Sequence, residues 1–435
     1  MKQKDADHLK ALVQRRQRLM GNAYRLFYDQ PVHIVSGKGV WLYDSDGRKY
    51  LDVYNNVPHV GHCHPQVTDA ICKQVNTLNT HTRYLHELVL EYAERLTKKF
   101  PKTLDIAMFA CTGTEANELA LRLARAKTGA SGMIVTENAY HGNSWAIAQI
   151  TTTYETSEKR ADNIVTVPTP DSFRGLYADD EQAADKYAAH VQTAIETLAK
   201  RGLKPAAFIV DTIFSNEGLP TVPEGYLAKA VAIVRKAGGL FIADEVQPGF
   251  GRLGTDFWGF ASQGVKPDIA TMGKPMGNGY PISAVVTSAP VIDAFREHSH
   301  YFNTFGGSPV ACAAALAVLD VVEEQDLQAK ALETGSYLIK ALKELATDNK
   351  LIGDIRGSGL FIGIDLVRDR MSREPATIET EKIVNRLREL GVLIGSTGQY
   401  DNILKIRPPM VFSKENADLL LEKLGIVFNE VGSAD

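Results

Sequence analysis

Short apolar or β-branched runs bounded by Gly, Pro and Asp alternate through the middle of the chain with longer amphipathic stretches. This alternation is the pattern of an α/β domain built on a mostly parallel sheet. The expected strands are Ile106–Ala110, Met133–Thr136, Ala207–Ile213, Leu240–Ala243, Ile269–Thr271 and Ile282–Thr287. Between the first two, residues 115–126 predict a helix in which Ala116, Leu119, Ala120, Leu123 and Ala124 share one face. The centre of the chain therefore predicts a large, doubly wound domain over residues 59–325.

The flanks have a different pattern. A chain of 435 residues exceeds the ~250–300 at which a single core stops growing, so a second domain is expected. Residues 1–58 predict a helix and a strand-turn-strand with Asp46-Gly47 as its turn. Residues 326–435 predict a helix, an apolar strand at Leu360–Leu366, another helix and a last strand before Pro408-Pro409. Together they predict a smaller α+β domain to which residues 1–58 are joined.

Composition excludes several classes. Hydrophobic residues at 44% and charged residues at 23% are ordinary for a globular protein, and no run approaches the ~18 apolar residues of a membrane span. Basic and acidic residues number 48 and 52, for a net charge of −4 without long one-sign blocks, so no nucleic-acid footprint is present and a small-molecule partner is expected. The 4 cysteines lack C-x-x-C pairing, as in a reducing compartment, and the first 20 residues carry no apolar signal core. A cytoplasmic location is the expectation.

Two polar residues sit where apolar runs end. Asp244 closes Gly239-Leu240-Phe241-Ile242-Ala243, which places a carboxylate at the carboxyl edge of a buried strand, where open α/β sheets bind ligands. Lys274 follows Ile269-Ala270-Thr271-Met272 and is surrounded by Gly273, Gly277 and Gly279, which let backbone approach a ligand closely. Upstream, Thr112-Gly113-Thr114-Glu115 joins a strand to a helix with capping-box spacing, and a helix start with free N–H groups is an anion site. Tyr140 follows the next strand and supplies an aromatic ring. Singly, each has a bland reading: a turn aspartate, a surface lysine, a plain helix cap, a core tyrosine. Together they meet the needs of pyridoxal 5′-phosphate (PLP), namely a lysine for the Schiff base, an acid at the pyridine nitrogen, a phosphate cradle and a stacking ring.

These blocks resemble the class III aminotransferase family of fold-type I PLP enzymes over nearly the whole chain. The resemblance implies that Gly113 and Thr114 hold the phosphate, that Tyr140-His141-Gly142 is the stacking motif, and that Lys274 carries the cofactor. It also implies that Asp244 meets the pyridine, that Val246 packs on the ring, and that Gln247 reaches the phenolic oxygen. Thr304, in Phe302-Asn303-Thr304-Phe305-Gly306-Gly307, matches a residue that reaches the partner subunit's phosphate, which implies a homodimer with shared sites and leaves a tetramer open.

Two other motifs compete. Gly249-Phe250-Gly251-Arg252-Leu253-Gly254 matches the G-x-G-x-x-G of nicotinamide-dependent oxidoreductases, but the residues after it have no helical period. His59, His62, Cys63 and His64 are metal-ligand types packed too tightly for one tetrahedral site, so no metal is expected.

The reaction turns on two departures from the aminotransferase pattern. Lys405 stands where an arginine would bind a dicarboxylate, and Asn216 stands at the switching-glutamate position. A lysine is a point charge, not a bidentate fork. The segments around Asn55, Lys274, Ile352 and Lys405 look most like ethanolamine-phosphate and 5-phosphohydroxylysine phospho-lyases, and alanine–glyoxylate-type aminotransferases share several of them. The resemblance implies 1,2-elimination on a phosphate- or phosphonate-bearing amine, with Lys274 as the base and an aldehyde and ammonia as products. Asn55, Lys405 and Arg407 are the candidate substrate contacts. The alternative is an alanine–glyoxylate or omega-amine aminotransferase.

Overall fold

The computed structural model describes residues 3–154 and 159–432. After a helix at Gln3–Met20 come β1 (Ile34–Lys38), β2 (Trp41–Asp44) and β3 (Lys49–Asp52), an antiparallel meander. Gly47 takes φ 77° in the turn between β2 and β3, and the Asp44 carboxylate accepts from the amides of Asp46 and Arg48 at 3.0 and 2.9 Å.

The middle of the chain supplies β4 (Ile106–Ala110), β5 (Gly132–Thr136), β6 (Ile164–Val167), β7 (Pro205–Asp211), β8 (Leu240–Asp244), β9 (Ile269–Met272) and β10 (Ser283–Thr287). They form one seven-stranded sheet in the order β4-β10-β9-β8-β7-β5-β6. β10 runs antiparallel to both neighbours, and the other pairings are parallel. Both faces are covered. Phe208, Val210 and Phe241 pack with Tyr92, Tyr187 and Val234 from helices on one side. Ala207, Ile209 and Ile242 pack with Leu119, Leu123 and Phe295 on the other. Burial on two faces is why these strands read as unbroken apolar runs.

The remaining strands are β11 (Ile352–Ser358), β12 (Phe361–Asp369), β13 (Glu374–Pro375), β14 (Val392–Leu393), β15 (Gly395–Thr397) and β16 (Ile403–Ile406). β11, β12, β16 and β15 lie side by side in that order with β13 on β12, while β14 pairs in parallel with β3. Residues from both ends of the chain share one core, in which Val40, Leu51 and Val53 pack with Ile362, Leu404, Leu424 and Phe428.

Some elements differ from expectation. β7 ends at Asp211, because the amides of Ile213 and Ser215 turn back onto that carboxylate at 3.2 and 3.3 Å. β6, a four-residue edge strand, was not expected, nor was β11, whose run is broken by Gly353, Asp354, Arg356 and Gly357. Arg356 is compensated by Asp354 at 2.9 Å and Asp365 at 3.0 Å.

Residues 249–254 form a run of turns whose glycines serve packing. A Cβ at Gly249 would lie 2.8 Å from the Trp258 ring, and one at Gly254 2.6 Å from Leu332 Cα. His59 Nε2 bonds the Phe250 carbonyl at 2.9 Å, while His62 Nε2 bonds Asp52 at 2.7 Å, so the two imidazoles serve separate contacts. Burial, and then the charge of Arg252, drive His59 down to about 3. Among the described residues no helix is long and apolar enough to cross a membrane.

Gly335 lies inside the helix Leu327–Asp348, where alanine would gain about 1 kcal/mol of helix propensity. Its Cβ would sit 2.0 Å from the Gly359 carbonyl oxygen, between β11 and β12. Overpacking against backbone costs about 1–3 kcal/mol and outweighs the gain. Gly335→Ala is therefore expected to melt below the native protein in calorimetry; an unchanged or higher melting temperature would show that the helix can move away.

Candidate active site

The site begins with strand register. Asp211 is paired with Asp244, and Asp244 with Thr271, so three polar side chains stand in one row at the carboxyl edge of β7, β8 and β9. Helix Gly113–Thr128 crosses the sheet above them and sends down Asn117. The Asn117 amide donates to Asp244 Oδ2 at 2.9 Å and to the His141 carbonyl at 2.7 Å, while its oxygen accepts from Thr271 Oγ1 at 2.6 Å. His141 Nδ1 donates to the same Asp244 oxygen at 2.7 Å, and the Val246 amide donates to Oδ1 at 3.1 Å. Burial alone would discharge His141, but the hydrogen bond and charge of Asp244, with Glu217 and Asp211 behind it, raise its pKa above the ordinary value.

Asp244 opens into a cleft of about 280 Å³ lined by Gly113, Thr114, Tyr140, His141, Asp211, Val246, Gln247 and Lys274. At one end is the start of the 113–128 helix. Thr112 and Glu115 form the expected capping box, with Glu115 Oε2 accepting from the amides of Cys111 and Thr112 at 2.9 Å. The amides of Gly113 and Thr114 have no hydrogen-bond partner among the described residues and remain available to an anion. Close packing makes the cradle: a Cβ at Gly113 would lie 3.1 Å from Val246 Cγ2, and one at Gly142 would lie 2.4 Å from Thr114 Oγ1.

Three cations approach from β9 and β16. Lys274, partly buried just past β9, makes no hydrogen bond or ion pair among the described residues. Burial, then the charge of Arg407, lowers its pKa, while Asp244 and Asp211 pull the other way. Lys405 is buried on β16 opposite Gly363 and Gly395, with its ammonium over the Phe361 ring of β12 at 5.6 Å. Burial, then Arg407, pushes it well below the usual lysine range. Arg407 lies over the Tyr54 ring at 4.4 Å and donates to Gln247 Oε1 at 2.5 Å. The Gln247 amide in turn donates to Ser215 Oγ, which donates to Asp211, so one chain of hydrogen bonds joins β7 to the end of β16.

Other expected residues lie elsewhere. The Asn55 side chain accepts from the Val57 amide at 3.1 Å, and the neighbouring Asn56 reaches Gln247 at 3.4 Å instead. Asn216 turns to the Asn138 carbonyl at 2.8 Å, whereas the next residue, Glu217, is buried against Thr136 Oγ1 at 2.7 Å. Thr304 is exposed, on a loop that Asn303 ties to Glu115 at 3.1 Å. The resemblance places Asn117 in the phosphate motif Thr112–Asn117, whereas its side chain holds Asp244; Asp211, Ser215 and Glu217 were not expected from the sequence. Asp211 alone carried a signal there, because it closes an apolar run as Asp244 does.

The arrangement fits PLP on its own donors: a carboxylate for a ring nitrogen, free amides for a phosphate, an unpaired lysine for an aldehyde, and Tyr140 and Val246 for the ring. The fold and these groups define a PLP-dependent enzyme of fold type I. Residues 26–428 match the aminotransferase class-III family, and the chain belongs to that family. It is similar to an alanine–glyoxylate aminotransferase 2-like protein of Drosophila melanogaster, 42% identical over 419 residues that cover 94% of this chain and 85% of that one. It is likewise similar to ethanolamine-phosphate phospho-lyase homolog 1 of Caenorhabditis elegans, at 39% over 436 residues, covering 95% and 92%. A solved phospholyase from Arthrobacter in complex with phosphoethanolamine superposes with a TM-score of 0.93 at 46% identity, covering 96% of this chain and 99% of that chain.

If Lys274 carries the cofactor, borohydride reduction of the holoenzyme will leave a phosphopyridoxyl group on the peptide containing it, as mass spectrometry would read. Lys274→Ala is expected to give no labelled peptide and no turnover; multiple turnover in that variant would refute the assignment.

Proposed function

We propose that this enzyme is a lyase that carries out 1,2-elimination on a small amine bearing a phosphate or phosphonate, releasing an aldehyde and ammonia. The observation that carries the reading is the pair Lys405 and Arg407, two buried cations from β16 beside Lys274. Lys405 forms no direct ion pair among the described residues, although Asp211 and Glu217 attract it, and a doubly charged ligand group would relieve the cost of its burial. The solved phospholyase with phosphoethanolamine adds weight to this reading.

When bound, PLP supplies the electron sink for breaking a bond at the substrate's Cα. Asp244, fixed by Asn117 and His141, keeps the ring nitrogen protonated. Lys274, its basicity lowered by burial and Arg407, takes the Cα proton. Lys405 and Arg407 orient the anionic end. With phosphoethanolamine the β-carbon loses phosphate; with a β-hydroxylated aminoethylphosphonate it loses hydroxide and retains phosphorus. Hydrolysis then frees the aldehyde and ammonia.

Transamination is the second reading, and similarity to an alanine–glyoxylate aminotransferase 2-like protein favours it. Both readings use a homodimer, proposed here from the exposed Thr304 and the exposed apolar side chains of Tyr84, Leu85, Phe302 and Phe305, which a second subunit would cover.

Phosphoethanolamine, a hydroxylated aminoethylphosphonate and alanine, each supplied with and without a keto acid, separate the two. Aldehyde and ammonia formed without a keto acid are the expected result. Conversion to pyridoxamine phosphate that stalls without one would sink the lyase reading. Lys405→Met is expected to lower kcat/KM for the phosphorus-bearing amine about 10- to 100-fold, the worth of a lost charged hydrogen bond. An unchanged kcat/KM would remove Lys405 from substrate binding.

A further inference from the structure

Glu217 follows the turn after β7, is buried, and has no task in the chemistry above. Its Oε1 accepts from Thr136 Oγ1 at 2.7 Å, while Oε2 is buried without a hydrogen-bond partner among the described residues. His141 has the matching property: Nδ1 donates to Asp244, and Nε2 is buried with no partner among the described residues. A buried polar atom left unsatisfied is costly, and ordered water is the usual partner where side chains cannot meet directly.

We propose that Glu217 and His141 are joined by one buried water and share a proton through it, so that Glu217 sets the charge Asp244 presents to the ring nitrogen of PLP. Glu217 is thus a positioning residue acting through His141. With the proton on Glu217, His141 is neutral and the Asp244 charge is left whole for the ring nitrogen. With the proton on His141, the imidazolium takes part of that charge. No proton enters or leaves the set in passing between these forms.

The groups facing Glu217 favour such sharing. Asp211 on β7 repels its charge, Thr136 on β5 holds one oxygen, and Lys405 on β16 and His141 attract it. The Tyr226 hydroxyl, also buried and unpartnered, feels its charge as well and can complete the water's bonding. Burial, then Asp211, lifts the Glu217 carboxyl to about 7, within reach of an imidazole. The inference needs only the cofactor, so it holds for elimination and transamination alike and survives failure of the lyase reading.

The test is a histidine-labelled holoenzyme titrated by NMR alongside the pH profile of its visible absorption band. In Glu217→Gln, which keeps shape and loses charge, the His141 pKa is expected to fall by about one unit or more. The midpoint of the absorption band should move with it, while Glu217→Asp should restore both toward native values. Native titration of His141 in a Glu217→Gln protein that folds and retains PLP overturns the proposal. Should that variant not fold, a high-resolution crystal structure of the native holoenzyme decides. A water bonded to both His141 Nε2 and Glu217 Oε2 supports the proposal, and its absence overturns it.

Discussion

The Asp244 carboxylate is the point on which the site depends. It closes β8, and Asn117, His141 and the Val246 amide all donate to it. Because Asn117 also accepts from Thr271 on β9, one amide side chain fixes the crossing helix against two strands at once. That constraint reaches the far end of the cleft. Asn117 lies four residues past Gly113 in the same helix, so holding it in place also sets where the free amides of Gly113 and Thr114 point. The two ends of the cofactor site are therefore parts of one rigid unit.

Opposed charges that would be unstable singly are concentrated at the cleft and behind it. Asp211, Asp244 and Lys274 line it, and the buried Glu217, Lys405 and Arg407 lie close enough to act on one another and on these groups. Burial favours the neutral form of Asp211, Glu217, Lys274, Lys405 and Arg407, and neighbours of opposite sign restore part of the charge. A core of packed apolar residues would be at least as stable as such a set. Its presence at the edge of two sheets is a functional feature that the surrounding fold stabilises.

Much of this organisation was legible in the chain. Asp244, Lys274 and the Thr112–Glu115 cap stand at the ends of apolar runs or at a helix start, where local pattern and chemical role coincide. Tertiary placement was not legible. The resemblance put Asn117 with the phosphate cradle, but nothing local shows that its amide reaches Asp244, a contact 127 residues away. Asn216 and Glu217 are adjacent, and the turn after β7 sends one to the Asn138 carbonyl and buries the other beneath the site. Asn55 and Asn56 divide in the same way. Short-range spacing cannot tell one neighbour from the next where the backbone leaves regular structure.

The two sheets contribute different things. Asp244, the free amides of Gly113 and Thr114, and Lys274 come from β8, the start of the helix after β4 and the turn just past β9, all parts of the large sheet and its covering helices. Lys405 and Arg407, proposed above to hold the substrate's anionic end, come from β16 and the residue just past it, where Gly363 and Gly395 lie opposite Lys405. Lys274 is tuned by both: burial and then Arg407 lower its pKa, while Asp244 and Asp211 pull it up. A change on β16 therefore alters what is bound and, through Arg407, how basic Lys274 is. In the reading proposed above, Arg407 both orients the substrate's anionic end and lowers the basicity of Lys274, so binding and proton transfer are coupled through that arginine.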